Sequence, residues 1–193
     1  MSKSLYPVVP GLSWRDIEIT TIRTSGLLFD TAKNLLAPKA MFNLFQDGTL
    51  GRLGFTYGVE SLPVGEEGKF DPGTNEIILS LETYDNLACD AGRAKFTLAH
   101  EIGHAVLHGA YLKDALTSRR IMPQYKRSQI PKYADPECQA NKFASYFLMP
   151  RALILPLIQR GSSVTEIARY FGVSYQAAEI RCADFKKVRA SNF

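Results

Sequence analysis

The sequence predicts an α+β fold in which a small antiparallel or mixed sheet packs on one buried helix, with a helical C-terminal region. Residues 55–81 contain short runs of strand-forming residues around a proline-glycine turn. Apolar residues surround a predicted helix at 91–108, which is typical of a helix buried on most sides. After residue 135 the chain carries helix start and stop signals.

The first 47 residues are predicted to form an N-terminal segment, with an extended arm over 1–13 and a helical stretch over 14–46 that Pro38 divides. The remaining residues, 48–193, are assigned to one domain whose helical C-terminal part covers 151–193.

The β section contains candidate strands at 55–59, 69–70 and 75–81. The sequence Asp71-Pro72-Gly73-Thr74 separates the last two. Proline followed by glycine at the centre of a turn favours a type II turn, and therefore a hairpin.

Capping residues delimit the predicted helices. Asp90 and Gly109 are expected to start and end the 91–108 helix, which leaves 110–134 as a long loop. Asp135 is expected to cap a helix over 136–148 with Pro136 in its first turn. Three further residues have capping roles in the tail: Ser163 with Glu166 in a capping box, and Gly172 at a helix end.

Composition excludes several classes of protein. The 193 residues are 46% hydrophobic and 22% charged with a net charge of +4, a balance too weak to indicate nucleic-acid binding. Three widely spaced cysteines without a C-x-x-C pair argue against a disulfide framework and against a cysteine zinc site. The first residues do not resemble a signal peptide, and no apolar stretch approaches the ~20 residues of a membrane helix. A cytoplasmic protein without a membrane partner is therefore expected.

The only three histidines lie four residues apart, and the first two enclose a glutamate in His100-Glu101-Ile102-Gly103-His104. Residues i and i+4 share one helix face, so both imidazoles can bind one metal ion. Zinc accepts imidazole nitrogen, and a catalytic zinc site keeps one position for water. Glu101 is turned about 100° from His100 around the helix. It can reach that water without being a ligand, which predicts a general base.

His108 is too far along the helix, about 12 Å from His100, to bind the same ion. A second zinc-peptidase pattern, H-E-x-x-H-x-x-G-x-x-H, is excluded because Leu107 and Ala110 occupy its glycine and third-histidine positions. His108 is predicted to be a helix-end or rim residue, with substrate binding as the alternative.

A third ligand must come from another segment, and Glu137 in the first turn of the 136–148 helix is preferred. Asp135 is the main rival, although it is better used as a cap, and Glu166 is a weaker one. Asn141 shares a face with Glu137 and is expected to hydrogen-bond a ligating histidine.

Gly103 within a helix costs about 1 kcal/mol relative to alanine, which suggests that another backbone packs closely there. The strand at 75–81 is the expected partner. Its central residues Ile77, Ile78 and Leu79 are predicted to pair with an extended peptide substrate.

The segments at 95–108 and 137–150 resemble the two signature blocks of the ImmA/IrrE family of bacterial metallopeptidases. The family pattern E-x-x-A-N, followed by an apolar helix ending in M-P, is matched by Glu137, Ala140, Asn141, Met149 and Pro150. The resemblance covers about residues 50–185, and it implies a minimal zincin-like fold with Glu137 as the third ligand.

The resemblance also implies a function. One zinc ion, with Mn²⁺ as the alternative, would support regulatory cleavage of a protein substrate, a helix-turn-helix transcriptional repressor. Many family members carry an N-terminal helix-turn-helix domain, whereas residues 1–47 show no such pattern.

Two other functions compete. Residues 163–182 resemble a helix-turn-helix, so the tail is a candidate for binding DNA or another protein, although it has little basic charge before Arg181. A purely structural zinc site is disfavoured, because such sites use four protein ligands. The candidates for oxyanion stabilisation or substrate contact are His108, Tyr133, Tyr146 and Arg181.

Overall fold

The computed structural model describes residues 5–119, 122 and 124–190. The N-terminal half contains, in chain order, β1 (Leu5–Pro7), α1 (Trp14–Leu28), α2 (Ala40–Gln46), β2 (Thr56–Glu60), β3 (Gly68–Asp71), β4 (Glu76–Ser80) and α3 (Leu81–Ala88). The remainder contains α4 (Gly92–Thr117), β5 (Gln124–Lys126), α5 (Pro136–Leu148), α6 (Arg151–Gln159), α7 (Val164–Phe171) and α8 (Tyr175–Ala190). This arrangement confirms the predicted α+β class with a small mixed sheet and a helical C-terminal region.

The main sheet has the strand order β2-β4-β3, with β4 parallel to β2 and antiparallel to β3. Strand β4 is therefore central, and both of its edges are already hydrogen-bonded. The predicted pairing of Ile77, Ile78 and Leu79 with a substrate is wrong for this reason. All three residues are buried.

The hairpin between β3 and β4 is confirmed, with Asp71 opposite Glu76, but its predicted type II geometry is wrong. The left-handed residue is Asn75 (φ 61°) rather than Gly73. The carboxylate of Asp71 accepts a hydrogen bond from the backbone N–H of Gly73 at 2.7 Å. This side-chain turn shapes the loop, and asparagine tolerates the left-handed conformation well.

Helix α4 is longer than predicted, because it continues through Gly109 to Thr117. Gly109 does not end the helix; its missing side chain leaves room for the ring of Phe70, only 3.1 Å from where a Cβ would lie. Asp90 does not cap the helix either. It adopts a left-handed conformation, and its carboxylate lies 3.4 Å from the ammonium of Lys95.

Helix α5 begins and ends where predicted, with Asp135 as its N-cap. It packs closely on α4 at Gly103, where an added Cβ would lie 3.3 Å from the Cα of Ala140 and 3.1 Å from the ring of Phe143. The close neighbour of Gly103 is therefore α5 and not the strand at 75–81. This contact sets the separation of the two helices that carry the site.

The main core unites the sheet with α1, α2, α4 and α5, so residues on both sides of the predicted 47/48 boundary share one apolar cluster. That boundary stays a prediction. In the tail, the capping box of Ser163 and Glu166 and the left-handed Gly172 are confirmed. Among the described residues, no helix is both long enough and apolar enough to cross a membrane.

Candidate metal centre

Three side chains from α4 and α5 converge on one point. The Nε2 atoms of His100 and His104 lie 2.9 Å apart. The carboxylate of Glu137 places one oxygen 3.4 Å from the first imidazole and the other 3.3 Å from the second. We searched the described part of the chain for clusters of histidine, cysteine and acidic side chains. These three residues form the one cluster there that is compact enough to hold a metal ion.

The spacing of these atoms suits one shared metal ion. Donors about 2.0–2.1 Å from zinc are separated by about 3.3–3.4 Å along each edge of a tetrahedron. The nearest imidazole–carboxylate distances, which involve different oxygens of Glu137, have this value, and the two imidazole nitrogens are somewhat closer to each other, at 2.9 Å. Two imidazole nitrogens with one carboxylate also form a donor set typical of catalytic zinc, which leaves the fourth position for water or substrate.

Electrostatics favour positive charge at the same point. Burial opposes protonation of His100, but its hydrogen bond to Glu137 and the charge of Glu101 outweigh burial and raise its pKa. The two imidazoles beside Glu137 hold the pKa of its carboxyl far below its usual range. The carboxylate is therefore ionised at neutral pH and available as a ligand.

The three residues line a cleft of about 560 Å³ between α4, α5 and β3. Four carboxylates line it, against two basic side chains, Lys69 and Arg93. If the histidines are neutral, a divalent cation would balance this charge. The acidic residues are Glu66, Glu67, Glu101 and Glu137.

Glu101 lies in this cleft beside the two histidines but outside the three converging donors. It is only 7% exposed, and burial raises its pKa. Gly68 at the start of β3 makes room for it, because a Cβ there would lie 3.2 Å from Cγ of Glu101. A buried carboxyl with a raised pKa is suited to taking up and releasing a proton.

Each histidine of the pair has a hydrogen-bond partner on its Nδ1. The Oδ1 of Asn141 accepts from Nδ1–H of His100 at 3.0 Å, as the sequence predicts. His104 has His108 as its partner, at 3.2 Å between the two Nδ1 atoms. His108 is therefore neither at a helix end nor at a rim: α4 continues beyond it, and it is 1% exposed.

The proposed oxyanion or substrate residues do not line the metal cleft. Tyr146 and Arg181 line a different cavity, where the guanidinium lies 4.1 Å from the centre of the tyrosine ring. The side chain of Tyr133 is 59% exposed, and its ring packs beside Gly11. His108 is buried against His104. The tertiary structure therefore does not bring these four residues together.

The helix-turn-helix-like tail forms as two helices, α7 and α8, joined at Gly172. Arg181 in the second helix is only 2% exposed and donates to the backbone carbonyl of Met149 at 3.2 Å. Residues Gln176, Ala177 and Ile180 of α8 line a groove that shares Thr97 and Asn141 with the metal cleft. DNA binding by the tail stays a prediction, and this arrangement does not favour it.

Sequence reasoning missed several residues around the centre. Gln139 is fully buried and hydrogen-bonds His108 at 2.9 Å. Glu67 pairs with Arg93 at 2.5 Å and accepts from Thr97 at 2.8 Å at the cleft wall. No local pattern distinguishes Gln139 from the other polar residues at the start of α5. Glu67 carries no local signal either, because it lies in a loop that the fold brings to the helix.

A His-Glu-x-x-His helix with a glutamate from the following helix, beside a small mixed sheet, defines the class of zincin-like metallopeptidases. Comparison with known proteins agrees. A family model described as "IrrE N-terminal-like domain", of the M78 peptidases, matches residues 86–183. The chain belongs to this ImmA/IrrE family of metallopeptidases.

Two curated relatives are both called "Radiation response metalloprotease IrrE". The protein from Deinococcus radiodurans is 34% identical over 122 residues, which are 61% of this chain and 34% of that protein. The protein from Deinococcus deserti is 32% identical over 122 residues, which are 61% of this chain and 39% of that protein. The matched region therefore spans less than two-fifths of either relative.

A solved structure titled "Mycobacterium tuberculosis transcriptional regulator" has a similar fold. The TM-score is 0.52 at 18% identity, with 85% of this chain and 45% of that chain covered. At this identity the likeness concerns the fold alone.

Proposed function

We propose that this chain is a zinc-dependent metalloendopeptidase that cleaves a protein substrate at a specific site for regulation. The observation that carries the proposal is the convergence of His100, His104 and Glu137 beside the buried carboxyl of Glu101. A purely structural site would not need this fourth side chain beside the three donors.

Bound zinc supplies a Lewis acid that acidifies water and polarises the scissile carbonyl. His100, His104 and Glu137 are proposed to hold the ion. Glu101 is proposed to take the proton from water onto its carboxylate and later to deliver it to the departing amine. Its burial favours the protonated form after the first transfer, which suits both steps.

Strand β3 is proposed to align the substrate backbone. It forms one edge of the sheet, and its residues Gly68, Lys69 and Phe70 line the metal cleft. An extended peptide can add to such an edge through main-chain hydrogen bonds. The role assigned from the sequence to β4 therefore passes to its neighbour.

The proposed substrate is a helix-turn-helix transcriptional repressor, cleaved in a stress response. The family resemblance implies this target, and the names of the Deinococcus relatives support a link to a stress response. Protein substrate, target and cytoplasmic location all remain proposals, because the chain matches only part of those proteins.

The reaction and the target are tested separately. Zinc-loaded wild type and Glu101→Gln are incubated with a proteome-derived peptide library, and new termini are read by mass spectrometry. Cleavage by the wild type alone, with equal zinc content in both proteins, supports the peptidase. The exposed Glu179→Gln on α8 is the matched control and should cleave normally.

Both proteins are then co-expressed with a helix-turn-helix repressor from the same genome. If only the wild type cuts the library and the repressor stays intact, the proposed target is overturned, but the proposed peptidase reaction is still supported. An uncut library together with an intact repressor would overturn the peptidase proposal itself.

A further inference from the structure

A chain of hydrogen bonds leads away from the metal centre through buried side chains. It runs from Nδ1 of His104 to Nδ1 of His108 at 3.2 Å, and from Nε2 of His108 to Oε1 of Gln139 at 2.9 Å. The amide nitrogen of Gln139 continues to the backbone carbonyls of Pro10 at 3.1 Å and Tyr133 at 2.6 Å. His108 and Gln139 are excluded from water.

The two backbone carbonyls determine which group donates and which accepts in each of these hydrogen bonds. A carbonyl oxygen can only accept, so the NH₂ group of Gln139 must face Pro10 and Tyr133. The opposite orientation would place the amide oxygen against two carbonyl oxygens. The Oε1 of Gln139 therefore faces His108 and accepts its Nε2–H.

The tautomers of both histidines follow. With its proton on Nε2, neutral His108 has a bare Nδ1 that can only accept. His104 must then donate from Nδ1–H, which leaves a lone pair on its Nε2. This is the atom that lies 3.3 Å from Glu137 and 2.9 Å from Nε2 of His100.

We propose that His108 and Gln139 are positioning residues that hold His104 in its Nδ1–H tautomer and aim its Nε2 at the metal. The relay is anchored by the main-chain carbonyls of Pro10 and Tyr133. The proposal rests on the proposed function in one respect, because it assumes that the centre binds zinc.

The anchor itself is well held, because the N-terminal arm pairs with the segment before α5. The backbone N–H of Leu12 donates to the carbonyl of Tyr133 at 3.0 Å, and that of Val9 donates to the carbonyl of Ala134 at 3.4 Å. The arm, to which the sequence assigned no chemistry, thereby supplies one of the two acceptors that orient Gln139. At His100 the corresponding hydrogen-bond partner is a single residue, Asn141, which contacts Nδ1.

The test measures zinc affinity and histidine tautomers. Partners that orient a ligating histidine typically contribute roughly 10–100-fold to metal affinity. His108→Phe and Gln139→Leu should weaken zinc binding by about that factor in a chelator competition. His108→Gln, whose amide offers both an acceptor and a donor, should recover part of the loss. Leu107→Ala is the matched control: it removes core packing from the same turn and should leave the zinc affinity unchanged.

Nitrogen-15 NMR of labelled histidine reads the tautomers directly in the wild type, so the test does not depend on whether the variants fold. In the wild type we expect protons on Nδ1 of His104 and on Nε2 of His108. In Gln139→Leu the tautomer of His108 should change, because the acceptor of its Nε2–H is lost. A proton on Nδ1 of His108, or folded variants with wild-type zinc affinity, would overturn the relay. A wild type that binds no zinc, yet shows the expected tautomers, would overturn only the proposed function.

Discussion

Asp135 accepts a hydrogen bond from the backbone N–H of Glu137 at 2.9 Å. Asp135, the main rival of Glu137 as third ligand, is therefore the N-cap of α5, the helix that presents Glu137 to the histidines. It also accepts from the backbone N–H of Cys138 at 3.3 Å. One residue thus stabilises α5 and orients its first turn toward the metal centre.

The first prediction concerns this cap. Asp135→Ala should lower the free energy of unfolding by about 1 kcal/mol, the usual cost of losing an N-cap. It should also weaken zinc binding, because the first turn of α5 carries Glu137. Calorimetry and chelator competition measure the two effects.

Ser163→Ala is the control, since Ser163 caps α7 in the same way but does not line the metal cleft. It should show a similar loss of stability with unchanged zinc affinity. Equal zinc affinity in both variants would contradict the link between cap and ligand.

The second prediction concerns the space beside Glu101. Gly68→Ala places a Cβ 3.2 Å from Cγ of Glu101 and 3.2 Å from the carbonyl oxygen of Ile78. The carboxyl must shift, so kcat on a cleaved library peptide should fall about 10-fold or more. Zinc content should stay at the wild-type value, because none of the three ligands is touched. A wild-type kcat would show that the position of Glu101 tolerates this crowding.

The third prediction concerns the contact between α4 and α5. Gly103→Ala gains about 1 kcal/mol of helix propensity, but its Cβ presses on Phe143 and on the backbone of Ala140. Because α5 must move away, Glu137 should withdraw from the two histidines. Zinc affinity should fall more clearly than thermal stability. Zinc titration beside a melting curve checks this, and a loss of stability alone would argue against it.

The fourth prediction is a pH dependence of the metal-free protein. The raised pKa of His100 contributes stability that is present below its ordinary value of 6.5 and is lost as the pH rises through the folded value. The lowered pKa of Glu137 contributes stability that is present above 4.5 and is lost as the pH falls. Both contributions are complete only between these two pH values.

The melting temperature of EDTA-treated wild type should therefore exceed that of Glu137→Gln most clearly between pH 4.5 and 6.5. Above this window the difference should shrink as His100 loses its proton, and added zinc should restore it. A difference that does not vary with pH would show that the ion pair does not stabilise the metal-free fold.

The parts of the site that the sequence predicts correctly are those governed by local geometry. The four-residue spacing of His100 and His104 places them on one face of any helix, so their convergence needed no knowledge of the fold. The start of α5 at Asp135 and Pro136 likewise follows from capping chemistry within a few residues.

The errors concern contacts between residues distant in the chain. The apolar run Ile77-Ile78-Leu79 in β4 indicates a strand but not its neighbours, and pairing on both sides made this strand central. Similarly, Gly109 resembles a helix end until Phe70 is seen to occupy the space beside it. Neither arrangement is written into the local pattern.

By itself, the sequence therefore determined the helix-borne motif, the preferred third ligand and the family resemblance. Only the tertiary structure decided which strand edge faces the cleft and that His108 supports His104 instead of lying at a rim. It also showed how Gln139 connects that support to Pro10, 129 residues away in the chain. The physical reason is that helix periodicity acts over one or two turns, whereas burial and hydrogen-bond partners depend on which distant segments the core brings together.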